Sequence, residues 1–295
     1  MTSKIKVAVF NNEINISKEP ILGRPFSFNL DKIDLCNKYN EADYIFCNLH
    51  YLNCNEDYEI VKQSELFKKY SDKFVFWSMH DNPSFAYQET KSKKFICQPL
   101  YGHEINKKFN VVPVPLQMRH YEWNLIQDNL FIENCRNNEK IYNFNYVGQI
   151  IYANRQWLKT ISLPKYDFEE TKPIWHINTV DGRVGIVKQF CDRLSKSQFC
   201  FAPRGIGSSS FRLYQSLMVG TIPIIFGMND YPFKDEVDWS EFSIENCNDY
   251  IQLLKSEEKI ASLRKNGIEF WEKYVNIYNC DRIIFDRYLS GNQKT

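Results

Sequence analysis

Between Phe199 and Gly227 the chain reads FCFAPRGIGSSSFRLYQSLMVGTIPIIFG. An apolar run leads into an arginine, two glycines and three serines. An amphipathic stretch, a glycine and a second apolar run follow. Pro203 cannot donate to a strand ladder, so the first run ends there. Gly205 and Gly207 let another group approach the backbone closely. One of Ser208, Ser209 and Ser210 is placed to cap a helix over Ser210–Val219, and Gly220 sits where a helix C-terminus favours glycine. The free amides and partial positive charge of such a helix start suit phosphate.

Magnitudes show that the helix end does not suffice for this chemistry. A helix terminus contributes ~0.3–1 kcal/mol at an exposed site, whereas micromolar binding needs about 8 kcal/mol. Arg204 and Arg212 can each add ~1.5–3 kcal/mol as charge-assisted donors. A strand–glycine turn–helix unit without any ligand accounts for the layout equally well. GIGSSS also half-matches a dinucleotide fingerprint, with Asp230 downstream, but Ser210 replaces the third glycine. A P-loop is excluded because no Walker lysine is present.

The elements that must position these residues are legible as runs. Strand-like segments recur at Ile5–Phe10, Asp43–Leu49, Lys73–Ser78, Lys94–Cys97, Asn110–Pro115, Phe144–Ile150, Phe199–Ala202 and Thr221–Phe226. Several are continuously apolar, as expected for strands covered on both faces. Helix-like stretches at Glu56–Tyr70, Arg155–Thr160, Gly185–Lys196 and Ser210–Val219 alternate with them, which predicts an α/β fold with mostly parallel sheets. The polar, Asn-rich IENCRNNEK reads as a boundary, and FNYVGQI opens a new strand after it.

With 295 residues and 43% hydrophobic content, the chain can build two cores. Its 37 Lys plus Arg nearly cancel 36 Asp plus Glu, so the broad basic footprint of a general nucleic-acid binder is missing. Nine cysteines without a Cys-x-x-Cys pair read as buried thiols in a reducing compartment. No run approaches the ~20 apolar residues of a membrane span. The expectation is a soluble, cytoplasmic protein. His50, His103, His120 and His176 lack metal-ligand spacing.

The order of motifs from Gln198 to Ile244, QFCFAPRGIGSSSFRLYQSLMVGTIPIIFGMNDYPFKDEVDWSEFSI, resembles the C-terminal signature of the exostosin-like glycosyltransferases. Upstream, FNYVGQIIYANRQWL is similar to the opening of that family's second domain, FVFWSMHDNPSF to its His-Asp segment, and FNVVPVPL to a further stretch in which Asn110 replaces an acidic residue. The resemblance implies a GT-B fold, two Rossmann-like doubly wound domains facing a cleft. The domains would be 1–135 on the acceptor side and 136–280 on the donor side, with 281–295 packing back on the first.

The same resemblance implies an inverting transferase moving a sugar from a UDP-sugar, with xylose the guess, to the hydroxyl of an oligosaccharide or glycoprotein glycan. Arg155, Arg204, Gly205, Gly207, Ser208, Ser209, Ser210 and Arg212 would hold the donor diphosphate. Gln215 stands where the family commonly has a ribose-holding Glu. Asp81 or its rival His80 would be the base, although Asp81 is equally an Asx-type cap before Pro83. No Asp-x-Asp pair occurs, so no metal and no further cofactor is expected. Without an N-terminal span, the chain resembles soluble bacterial or algal-virus members, which would work in a host cytoplasm. Asp238 and Trp239 match the signature as turn-fixing residues. Two other readings stay open: a GDP-fucose-dependent fucosyltransferase-like enzyme, whose tail SLMVGTIPIIFG resembles, and a non-catalytic nucleotide-sugar or glycan-binding protein.

Overall fold

A computed structural model describes residues 4–10, 33–49, 54–78, 86, 94–97, 102–115, 128–172, 180–205, 207, 209–228, 230–245 and 250–286. These fall into two compact units. The first comprises the described residues of Met1–Pro115, Asn229–Phe233 and Ile277–Thr295, and the second those of Leu116–Met228 and Lys234–Asn276.

The first unit carries strands β1 (Ile5–Val9), β2 (Ile33–Leu35), β3 (Tyr44–Asn48), β4 (Phe74–Ser78), β5 (Lys94–Cys97) and β6 (Val111–Pro113), with helices α1 (Cys54–Gln63), α2 (Glu65–Tyr70) and α3 (His103–Lys108) between them. All pairings are parallel, in the order β2-β1-β3-β4-β5-β6. β4 is buried at every position. Its phenylalanines pack beneath the helices, with Tyr58 of α1 edge-on to Phe76 at 4.9 Å and Phe67 of α2 edge-on to Phe74 at 5.0 Å. The single helix read over Glu56–Tyr70 is two, because Ser64 accepts from the Phe67 amide at 3.1 Å and starts the second.

The second unit opens with α4 (Asn129–Asn137), then β7 (Tyr142–Gly148), a 3-10 turn over Ala153–Lys159, β8 (Tyr166–Glu170), α5 (Val180–Ser195), β9 (Ser197–Pro203), α6 (Phe211–Met218), β10 (Ile222–Phe226), β11 (Ile244–Glu245), α7 (Tyr250–Leu253) and α8 (Glu257–Phe270). A last helix, α9 (Ile277–Ile284), belongs to the first unit. The second sheet is again parallel, ordered β11-β10-β9-β7-β8. Both sheets thus place their second strand outside the first and continue with the third on its other side. This is the doubly wound plan, in which chain direction reverses at a switch point between first and third strands. Two parallel-sheet α/β units are what the GT-B resemblance implied.

The Asn-rich segment read as a boundary carries α4, which Asp128 caps by accepting from the Phe131 amide at 3.0 Å. Ile132 and Cys135, three apart, are the side chains it buries. Among the described residues no helix is long and apolar enough to cross a membrane.

A buried cation sits just before β7. The Lys140 ammonium donates to the Ser195 carbonyl at the end of α5 (2.5 Å) and to the Gly220 carbonyl just past α6 (3.0 Å). Helix C-termini favour a cation there, but burial, and secondarily the charge of Arg264, push its pKa down to about 7. The ordinary value of 10.5 applies in the unfolded chain, which therefore binds more protons between pH 7 and 10. Unfolding free energy from this group rises with pH across that window. Denaturant titrations of wild type and Lys140→Met from pH 6 to 9.5 are expected to show wild type gaining on the variant by up to ~1.4 kcal/mol per pH unit above neutrality. A pH-independent difference would contradict the assignment.

Candidate functional site

The switch point of the second sheet lies between β7 and β9, whose carboxyl ends are Gly148 and Pro203. Ligands of doubly wound sheets bind outside such ends. The turn after β7 is held by apolar anchors. Leu158 is fully buried, and Trp157 meets Phe201 and Phe226 edge-on at 5.6 and 5.2 Å. With those two residues turned into the core, Arg155 is directed across the end of β9.

Arg155 is 8% exposed. Its Nε donates to the Arg204 carbonyl (3.2 Å), Nη2 to the Pro203 carbonyl (3.4 Å) and Nη1 to the Gln149 carbonyl (3.3 Å). It therefore staples the loop after β9 to the loop after β7. Asn154 also donates to the Arg204 carbonyl, at 3.2 Å. A Cβ on Gly205 would lie 3.3 Å from Arg155 Nη2, so a side chain there would crowd the guanidinium. The loop closes on itself where the Gly205 amide donates to the Ser209 carbonyl at 3.0 Å. The Arg204 amide extends the ladder to the Phe226 carbonyl (3.1 Å), while its side chain lies over Gly227. Gly207 is buried within the loop.

α6 begins where the sequence placed it. Ser210 is the N-cap residue in extended conformation, yet its side chain makes no capping bond. The Ser209 hydroxyl is directed instead to the Tyr214 hydroxyl (3.3 Å). Helix-start amides are thus left without a capping oxygen from Ser210. At the other end, Gly220 adopts φ +70° and its amide donates to the Leu217 carbonyl while that of Thr221 donates to the Ser216 carbonyl. This paired closure is the Schellman motif.

From the first turn of α6, Arg212 reaches back across the end of β7. Its Nε and Nη2 donate to the Val147 carbonyl at 3.2 and 2.8 Å, and its Cζ stands 4.4 Å from the Tyr146 ring centroid. Only a glycine allows this crossing: a Cβ on Gly148 would overlap Arg212 Nη2 and lie 3.2 Å from its Cζ. Arg212 is 9% exposed. Among the described residues no carboxylate pairs with Arg155 or Arg212. Burial foremost lowers the Arg155 pKa, with Arg212 lowering it further. Two buried cations that no described carboxylate pairs are costly, and an anion at this place would offset the cost.

Gln215 lies one turn beyond Arg212 and is 5% exposed. Asp230 belongs to the first unit rather than to the one that carries this site. It is fully buried in the first unit, where it accepts from Asn106 Nδ2 at 2.7 Å and from the Tyr231 amide at 2.9 Å, which disposes of the dinucleotide fingerprint. Asp238 caps the short turn Trp239–Glu241 by accepting from the Ser240 amide (2.9 Å), and the Ser240 hydroxyl foremost, with that amide, holds its carboxyl below the usual range. Trp239 is buried against Phe242 and Phe270, both at 5.1 Å. The two are structural, as read. Ser208, His80 and Asp81 lie outside the described residues. Tyr146 was missed by sequence reasoning. Its signal was its place two residues before Gly148, on the same face of the strand.

Residues 126–256 match the exostosin GT47 domain. The chain is also similar to Exostosin-1 of Drosophila melanogaster, 30% identical over 101 residues, which are 31% of this chain and 13% of that relative. The chain therefore spans only a small part of that relative's length. The matched segment contains β7, the Arg155 turn, β9 and α6, the elements that build the switch-point site. That match gives the second unit its likeness to the exostosins, and the two parallel-sheet units agree with the fold that likeness implies.

Proposed function

We propose that the chain is a glycosyltransferase whose second unit holds the diphosphate of a UDP-sugar at the mouth of β7 and β9. The observation that carries this reading is the pair of buried guanidinium groups, Arg155 and Arg212, that no described carboxylate neutralises. Of the five N–H groups on each guanidinium, main-chain carbonyls take three on Arg155 and two on Arg212. The rest can turn to phosphate oxygens. Arg204, the amides near Ser209 and Ser210, and Gly205 and Gly207 complete the cradle, and Gln215 serves the ribose.

In the proposed reaction an acceptor glycan hydroxyl attacks the anomeric carbon in line. The bond from that carbon to the β-phosphate oxygen breaks, and its electron pair leaves on UDP. The hydroxyl proton passes to Asp81, with His80 the alternative base. Inversion follows from the single displacement, and the arginines supply the leaving-group stabilisation that a metal provides elsewhere. UDP-xylose is the proposed donor. Release of UDP from a panel of UDP-sugars, with and without EDTA, tests the reading: turnover unaffected by EDTA supports it, and no turnover with any UDP-sugar sinks it. Asp81→Asn is expected to lower transfer by ~10²–10⁴-fold while UDP affinity changes by less than about twofold. Retained turnover would remove Asp81 from the mechanism.

A further inference from the structure

We infer that Tyr146 is the positioning residue of the anion site, a single buried side chain that sets both guanidinium groups at once. The inference rests on the diphosphate reading of that site. The Tyr146 ring is fully buried and lies against the Arg212 guanidinium, 4.4 Å from Cζ to centroid. Its hydroxyl donates to the Gln149 carbonyl at 2.6 Å, the same oxygen that accepts from Arg155 Nη1. One side chain thus supports Arg212 through its face and Arg155 through a shared acceptor.

The geometry makes the two supports separable. The ring is held from the sheet side by Phe168 of β8, stacked at 6.1 Å, directly opposite Tyr146 in the ladder. The π face attracts a cation without consuming its N–H donors, so Arg212 is fixed while its remaining donors stay available. The hydroxyl acts differently. By fixing the Gln149 carbonyl it fixes an acceptor of Arg155, and so the angle at which that guanidinium meets a ligand. Two phosphates need two cations at a set separation. Tyr146 bridges the pair that would provide it.

Tyr146→Phe keeps the ring and removes the hydroxyl. Tyr146→Leu removes both supports. Binding of UDP, UMP and uridine to wild type and to both variants is measured by calorimetry, alongside thermal melts. The expected result is a loss of UDP affinity of about 2- to 10-fold for the phenylalanine variant, and about 5- to 100-fold for leucine. Uridine affinity should stay level in both. UDP and uridine affinities falling together, in step with lowered melting temperature, would mean that Tyr146 merely packs the sheet and would overturn the inference. Unchanged UDP affinity in the leucine variant would overturn it as well. Wild type binding UDP no better than uridine is a separate outcome: it removes the diphosphate reading itself, and the inference with it.

Discussion

Gly148→Ala is expected to weaken UDP binding by about 10- to 100-fold. The added Cβ occupies the space of the Arg212 guanidinium. The guanidinium must then shift from the place where it meets the Val147 carbonyl and the Tyr146 face. A charge-assisted hydrogen bond is worth ~1.5–3 kcal/mol, and ~1.4 kcal/mol is tenfold in affinity. The cycle with Arg212→Ala identifies the cause. If Gly148 matters through Arg212, adding Gly148→Ala to Arg212→Ala changes UDP affinity little further. Additive losses would place the role of Gly148 elsewhere. Calorimetric titration of the four proteins reads both.

Arg155→Ala should be damaging in two ways at once. Its side chain bonds the carbonyls of Gln149, Pro203 and Arg204. Asn154 continues to serve the last of these and the Tyr146 hydroxyl the first, so the Pro203 carbonyl alone loses its side-chain donor. At ~1–3 kcal/mol for a buried group left unsatisfied, stability should fall by roughly 1–3 kcal/mol, set against relief from one buried charge that no described carboxylate neutralises. UDP affinity should fall by about 10-fold or more, since the loop after β9 loses its staple and the site loses a cation. Arg155→Lys is not a rescue: one ammonium cannot reach three carbonyls spread across two loops. Denaturant unfolding and UDP titration of both variants check the two losses. A variant that binds UDP as wild type does, at any stability, would assign Arg155 to loop structure alone.

Much of this architecture is legible in the sequence because of where each strand sits. All eight strand-like runs, from Ile5–Phe10 to Thr221–Phe226, form strands, with ends shifted by a few residues. All but β6 have a partner strand on each side, and burial wrote apolar runs into most of them. The strands that escaped notice, Ile33–Leu35, Tyr166–Glu170 and Ile244–Glu245, are edge strands. An edge strand has one partner, and charged residues such as Asp34, Glu169, Glu170 and Glu245 interrupt its apolar signal; β6, also at an edge, is legible because Val111 and Val112 are buried. α4 is inconspicuous in the sequence for a related reason. Its Asn and Glu residues lie on a solvated face, and only Ile132 and Cys135 mark the buried one.

For the site, the residue types were legible and their immediate partners were not. The arginines near the glycine loop pointed to an anion from sequence alone. That Arg155 and Arg212 lean on main-chain carbonyls of two other segments depends on strand order, which places β9 beside β7 although β8 intervenes in the chain. Tyr146 shows the same limit. A tyrosine in a strand is ordinarily core, and only the return of α6 across Gly148 puts a guanidinium on its ring.

The most direct test of the central claim is a crystal structure of the chain with UDP. The account predicts both phosphates at the carboxyl ends of β7 and β9, within hydrogen-bonding distance of Arg212 and of amides at the start of α6. UDP bound elsewhere, with the Arg155 and Arg212 guanidinium groups facing only protein, would contradict it.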